Sequence, residues 1–256
     1  MDKIGNEFRK YATKHIGLNG TTVDDVIEHQ SNGIYVGNSL TPMVLEEREL
    51  RVTQMSVFDR LMMDRQIFLS GVVDQRMADV TQAQLLFLEQ LDPKRDITFL
   101  LSSGGGSVLS GLSIVDTMNY IKPDVACINL GMAASMGSVL LSSATKGKRS
   151  GLISSRVMLH HVSSGTSGTV DSQRVSLMES EKYNYLLFKI LSKNCDKTFE
   201  QVHDDCMQDL WLNSQEALEY GLIDEIIGLD KSPSITSLMD GFDDYYDKYV
   251  LNRKNK

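Results

Sequence analysis

A serine acts as a nucleophile only when a neighbouring base takes its proton and an acid fixes the tautomer of that base. The sequence offers one such serine, Ser135, in Gly131-Met132-Ala133-Ala134-Ser135-Met136-Gly137-Ser138. Small residues crowd around it, the pattern of a tight strand-to-helix turn that exposes the hydroxyl with the Met136 N–H beside it, although Ala133 stands where a G-x-S-x-G elbow has its first glycine. A second motif, Ser102-Ser103-Gly104-Gly105-Gly106-Ser107, also falls where a strand turns into a helix. Its amides suit an anion or a developing oxyanion. Two nucleotide readings fail at named positions: Gly106 and Gly111 have P-loop spacing but Leu112 replaces the lysine, and a dinucleotide fingerprint from Gly104 needs glycine at Leu109. Of the five histidines, His15 and His29 lie in an N-terminal extension, which leaves His160, His161 and His203 as bases, the last beside Asp204 and Asp205. Two chain orders fit, Ser135–His160–Asp205 and Ser135–Asp171–His203, and spacing does not choose between them. No H-E-x-x-H or paired-cysteine spacing accompanies the histidines, so no metal site is indicated.

The elements that must position these residues alternate. Gln66 to Ser70, Ile97 to Ser102, Val125 to Leu130 and Leu152 to Leu159 read as strands, and Arg76 to Leu91, Ser107 to Ile121 and Ala134 to Lys146 as helices. That order predicts an α/β fold with right-handed crossovers. A longer helix is expected over Val170 to Lys193, with Met178, Leu186, Leu187, Ile190 and Leu191 at core spacing. Thr198-Phe199-Glu200-Gln201 has the form of a capping box, and Gly221 reads as the stop of a last helix.

Composition narrows the partners. The chain has 256 residues, and 26 Lys+Arg against 34 Asp+Glu give a net charge of −8, which argues against a nucleic acid as the main partner. With 41% hydrophobic and 23% charged residues it is a globular chain, not a disordered one. Three cysteines without a C-x-x-C pair point to a reducing compartment, and no apolar run reaches spanning length, so a cytoplasmic location and no membrane contact are expected. Three parts are expected: an extension over residues 1–38, with Ile4, Phe8, Tyr11 and His15 on one helical face, a globular domain over 39–228, and a tail over 229–256.

Several motifs occurring together resemble the ClpP family, the proteolytic subunits of ATP-dependent Clp serine proteases. They are Ser102 to Val108, Ile121-Lys122-Pro123-Asp124-Val125, Gly131 to Gly137, Lys146-Gly147-Lys148-Arg149, Ser155 to His160 and Glu216 to Asp224. The likeness runs from about Leu40 to Ile227. It implies a ClpP/crotonase-like fold of repeated β-β-α units with a protruding helix-strand handle, and a serine endopeptidase acting on unfolded polypeptides. Carried over by motif, Ser135 is the nucleophile, His160 rather than His161 the base, and Gly106 and Met136 supply the oxyanion amides. The acid, placed four residues before the aspartate of Asp209-Leu210-Trp211-Leu212, falls on Asp205. The resemblance further implies two stacked heptameric rings, a tetradecamer joined through the long helix, and fed by a AAA+ Clp ATPase such as ClpX, ClpA or ClpC. This chain would bind no cofactor, ATP being hydrolysed by the partner. The stretch Ser163 to Thr169 falls where the family pairs an extended substrate with a strand edge.

Departures from the family pattern stand at Gly104, where a proline is usual, at His161-Val162, and at Asp204, where an arginine used between rings is common. Thr98 and Leu100 replace tyrosines of the ATPase-docking pocket. Leu40-Thr41-Pro42-Met43 resembles a mature start, so removal of the leader near Asn38 to Leu40 is expected. Two other functions remain open: a non-catalytic ring subunit, and a crotonase-type acyl-CoA enzyme, which would use a carboxylate or solvent instead of a Ser/His pair.

Overall fold

The computed structural model describes Lys14, Met43–Arg48, residues 51–230 and residues 232–250. Apart from Lys14, the leader and its expected cleavage point lie outside these residues. The chain divides after Leu61 into two compact units. In the first, β1 (Met43–Arg48) and β2 (Arg51–Ser56) form an antiparallel pair with Met43 opposite Ser56. Helix α1 (Val57–Met63) follows, its first turn capped by the Ser56 hydroxyl, which accepts the Asp59 N–H at 3.0 Å.

The second unit is built on strand-helix alternation. In chain order its elements are β3 (Gln66–Val73), α2 (Gln75–Leu91), β4 (Ile97–Gly106), α3 (Val108–Tyr120), β5 (Val125–Ala134), α4 (Met136–Ser142), β6 (Arg149–Leu152) and β7 (Arg156–Leu159). These are followed by α5 (Val170–Asn194), α6 (Phe199–Asp205), β8 (Leu210–Asn213), α7 (Ser214–Tyr220) and β9 (Glu225–Ile227), then the short tail helices α8 (Ile235–Leu238) and α9 (Phe242–Tyr249). Strands β3, β4, β5, β6 and β9 lie side by side and parallel, as β-α crossovers require. Alternate residues of the central strands, among them Ile97, Phe99, Leu101 and Cys127, are buried. They pack in one apolar core with Leu85 and Leu88 of α2, Ile114 of α3 and Leu140 of α4.

Two expectations need correction. Leu152 to Leu159 is not one strand: a turn closed by Ser155 N–H to Leu152 C=O (2.9 Å) separates β6 from β7. The two then take different neighbours. The first half of β5 pairs with β6 (Cys127 opposite Arg149), while its second half pairs with β7 (Ala134 opposite Met158). The helix expected over Ala134 to Lys146 is only α4, because β5 runs through Ala134 to the edge of the core. The segment 161–167 before α5 is irregular.

A buried ion pair ties the far end of this sheet together. Arg149 contacts Asp224 through Nη2 (2.5 Å) and Nε (2.9 Å) and donates to the Asn194 carbonyl (2.9 Å), linking β6, the approach to β9 and the end of α5. Burial alone would raise the Asp224 carboxyl, but the hydrogen bonds and charge of Arg149 outweigh it and hold the carboxyl below its ordinary value.

Candidate active site

Strand order delivers the chemistry. At one edge of the sheet the sequence of neighbours is β4, β5, β7, β8, the first three parallel and the last antiparallel to β7. The C-terminal ends of β4, β5 and β7 therefore meet the N-terminal start of β8. Gly106 ends β4, Ser135 follows β5, His160 follows β7 and Asp209 precedes β8. Each strand contributes one functional residue to the carboxyl edge, where open α/β sheets carry their sites.

Ser135 occupies a turn with φ 54° and ψ −122°, a region that a residue with a side chain adopts only when its surroundings impose it. They do so here. The Ser135 N–H donates to Met158 C=O (2.9 Å), continuing the β5–β7 ladder, while its carbonyl accepts the Ser138 hydroxyl (2.6 Å) inside the first turn of α4. The hydroxyl of Ser135 is left facing His160, whose Nε2 lies 2.8 Å from Oγ.

The third member differs from the expected one. Pairing in the β7–β8 hairpin runs from Arg156 opposite Asn213 to Leu159 opposite Leu210, and one further step brings His160 opposite Asp209. Accordingly Asp209 Oδ1 stands 3.5 Å from His160 Nδ1, the only carboxylate within 4.0 Å of that ring among the described residues. Asp205 is the last residue of α6 and instead accepts the Tyr220 hydroxyl at 3.0 Å. Of the expected Ser135, His160 and Asp205, the first two are brought together and Asp205 is replaced by Asp209. The aspartate of Asp209-Leu210-Trp211-Leu212 itself, not the residue four before it, is the carboxylate placed beside His160. The residue just ahead of the carboxylate beside His160 is therefore Gln208 rather than Asp204.

The glycine motif lies against the serine turn because β4 and β5 are adjacent, with Ser103 opposite Ala133. Contact is close enough to forbid a side chain. A Cβ on Gly105 would lie 2.6 Å from Ser135 Cβ and 3.0 Å from the Met136 nitrogen, and one on Gly106 (φ +152°) would lie 2.3 Å from the Val73 carbonyl oxygen. Ser103, fully buried, clamps this loop: its hydroxyl donates to Gly71 C=O (2.5 Å) and accepts the Gly105 N–H (3.1 Å). Beside Gly106, Ser135, Met136 and His160 opens a cavity of about 240 Å³ walled by Val139, Leu159, Val162, Leu187, Phe188 and Leu191. It would take an apolar side chain next to the serine.

A Clp protease family model matches residues 48–230. The chain belongs to the Clp protease family. It is 49% identical over 222 residues to the ATP-dependent Clp protease proteolytic subunit of Porphyromonas gingivalis, covering 87% of this chain and 97% of that protein. It is 47% identical to the proteins of the same name from Bacteroides fragilis and Bacteroides thetaiotaomicron, covering 87% of this chain and 98% of each.

Within this Clp protease chain the other candidates are accounted for by their contacts. His161 packs edge-on against Phe188 of α5 (ring centroids 5.0 Å) and His203 (5.6 Å). His203 contacts Asp204 (3.0 Å) and stacks on Phe199, so it is part of an aromatic cluster between α5 and α6. Asp171 stands in the exposed first turn of α5 beside Arg174 (3.5 Å). The order Ser135–Asp171–His203 is thus not assembled. Cys127, Cys195 and Cys206 are unpaired and buried, and burial pushes the Cys195 thiol up to about 11 and the Cys206 thiol up to about 12. Thr98 and Leu100 lie half-buried on the face of β4 opposite to Ile97, Phe99 and Leu101. No helix among the described residues is long and apolar enough to cross a membrane.

Proposed function

We propose that this chain is the proteolytic subunit of an ATP-dependent Clp protease, a serine endopeptidase with Ser135 as nucleophile, His160 as base and Asp209 as orienting acid. The observation that carries the reading is the 2.8 Å contact between Ser135 Oγ and His160 Nε2 on a turn of positive φ. His160 takes the serine proton as Oγ attacks a peptide carbonyl, and Asp209, facing Nδ1, holds the ring with Nε2 toward the serine and stabilises the imidazolium. The N–H groups of Gly106 and Met136 stabilise the tetrahedral oxyanion. The leaving amine takes the proton back from His160, and water, activated by the same imidazole, then releases the acyl group. The apolar cavity receives the side chain on the acyl side of the cleaved bond.

The same reading gives the chain its partners. Relatives nearly half identical are named as ATP-dependent proteolytic subunits, and this sequence lacks the P-loop lysine. ATP is therefore hydrolysed by a separate AAA+ Clp ATPase of the ClpX, ClpA or ClpC kind, which unfolds substrates and feeds them to two stacked heptamers in the cytoplasm. The chain itself uses no cofactor. A fluorophosphonate probe applied to the assembled particle tests the reading. It should label the wild type on Ser135 and leave Ser135→Ala unlabelled, while an unlabelled wild-type ring would make this a non-catalytic subunit.

A further inference from the structure

We infer that Asp205 and Tyr220 are positioning residues for Asp209, and that their hydrogen bond clasps together the two ends of the segment carrying the acid. This rests on the assignment of Asp209 to catalysis made above. Asp209 needs such support. Its side chain is 62% exposed and reaches His160 only at 3.5 Å, so side-chain packing does little to hold it, and its position depends on how its backbone is anchored on either side. On the C-terminal side the anchor is the β8 ladder, beginning one residue later with Leu210 opposite Leu159. On the N-terminal side the chain leaves α6 at Asp205, and Met207 is exposed.

The clasp supplies the second anchor. The Tyr220 hydroxyl donates to Asp205 Oδ2 at 3.0 Å, joining the last residue of α6 to the last residue of α7 and closing a loop that contains Asp209 and all of β8. Both ends of the bond are themselves fixed. Tyr220 is only 9% exposed, and Lys197 Nζ sits 4.3 Å from its ring centroid. Next to Asp205, Cys206 is buried and its N–H donates to Val202 C=O (3.1 Å), while Met207 N–H donates to Asp204 C=O (3.2 Å). Burial, and then the Asp205 carboxylate, push the Tyr220 phenol well up, which keeps it a donor throughout the working range. A misplacement of the order of 1 Å at a catalytic group lowers a rate by up to about 100-fold, so a clasp that limits drift of the acid acts on turnover and not on substrate affinity.

Tyr220→Phe removes only the hydroxyl, and Asp205→Ala breaks the same bond from the other side. The test measures kcat and KM for a short fluorogenic peptide with the assembled particle, for each substitution alone and on an Asp209→Asn background. Each alone should lower kcat about tenfold with KM within twofold, the pair should be no worse than Asp205→Ala, and neither should lower the residual kcat of Asp209→Asn further. Unchanged kcat in both single variants, or the same tenfold loss on the Asp209→Asn background, would overturn the inference while leaving the protease assignment standing. Peptide hydrolysis by wild type that persists in Ser135→Ala would overturn the assignment and the inference together.

Discussion

Ser135 and Gly105 define each other. The serine turn adopts a strained φ because β4 passes close beneath it, and β4 can pass that close only because Gly105 has no Cβ. Ser103 holds the loop in that position with two hydrogen bonds, one made and one received. Ser103→Ala is therefore expected to lower kcat about tenfold with little change in KM, since the loop carrying the Gly106 amide, the proposed oxyanion donor, loses the two hydrogen bonds that hold it. Its stability should fall by about 1–3 kcal/mol, the usual effect of leaving buried polar groups without partners. Steady-state kinetics and urea unfolding of the same sample check both. At this scale residue type alone singled out a serine among small residues and a glycine run, but it left His160, His161 and His203 open as bases, and the choice of His160 came from the family resemblance. The sequence was not legible for the acid, because Asp204, Asp205 and Asp209 are equally good carboxylates as residues. What separates them is a cross-strand register, which no local feature of the chain displays.

Registers and caps belong to the elements, and these were read unevenly. The capping box at Thr198 forms as expected, with the Gln201 N–H donating to the Thr198 hydroxyl (3.1 Å) and the Thr198 N–H to the Gln201 side chain (3.0 Å). Gly221 closes α7 at φ 91°. Both are local signals, satisfied within a few residues of chain. The break between β6 and β7 falls at Ser154-Ser155-Arg156, a polar interruption between Leu152-Ile153 and Val157-Met158-Leu159 that a single strand over Leu152 to Leu159 passes over, and the change of partner along β5 confirms that two strands are present. The Arg149–Asp224 pair is likewise non-local, joining residues 75 apart in the chain. Because Asp224 has its folded carboxyl below its unfolded value, its stabilisation is full above about pH 4 and is lost as the pH falls through the unfolded and then the folded value. Asp224→Asn should be less stable than wild type at pH 7 and should lose less stability on acidification from pH 5 to pH 3. Arg149→Met leaves Asp224 without its cation and should destabilise by about 3–5 kcal/mol at pH 7. Urea midpoints across that pH range distinguish the two.

For the whole molecule, the telling feature is helix α5. Its buried residues, Asn184, Leu187, Phe188 and Leu191, all lie in its second half, where Phe188 also walls the active-site cavity. The first half leaves Val170, Val175, Leu177 and Met178 exposed, each above 50%. An apolar stripe of this kind is unfavourable in water, and on the proposed double-ring assembly it is the contact between rings. Leu177→Asp with Met178→Asp should separate a tetradecamer into heptamers, read as a halving of mass by native mass spectrometry, while an unchanged mass would place the ring contact elsewhere. On that proposal assembly and site share one helix, so the separated rings should also turn over peptide more slowly.

The central claim is that Asp209, and not Asp205, completes the triad with Ser135 and His160. It is tested most directly by kcat/KM for a short peptide in Asp209→Asn and Asp205→Asn, measured side by side in the assembled particle. The amide of Asp205→Asn can still accept the Tyr220 hydroxyl. The account predicts a loss of about 1000-fold or more for Asp209→Asn and less than about tenfold for Asp205→Asn. The reverse order, or equal losses, would contradict it.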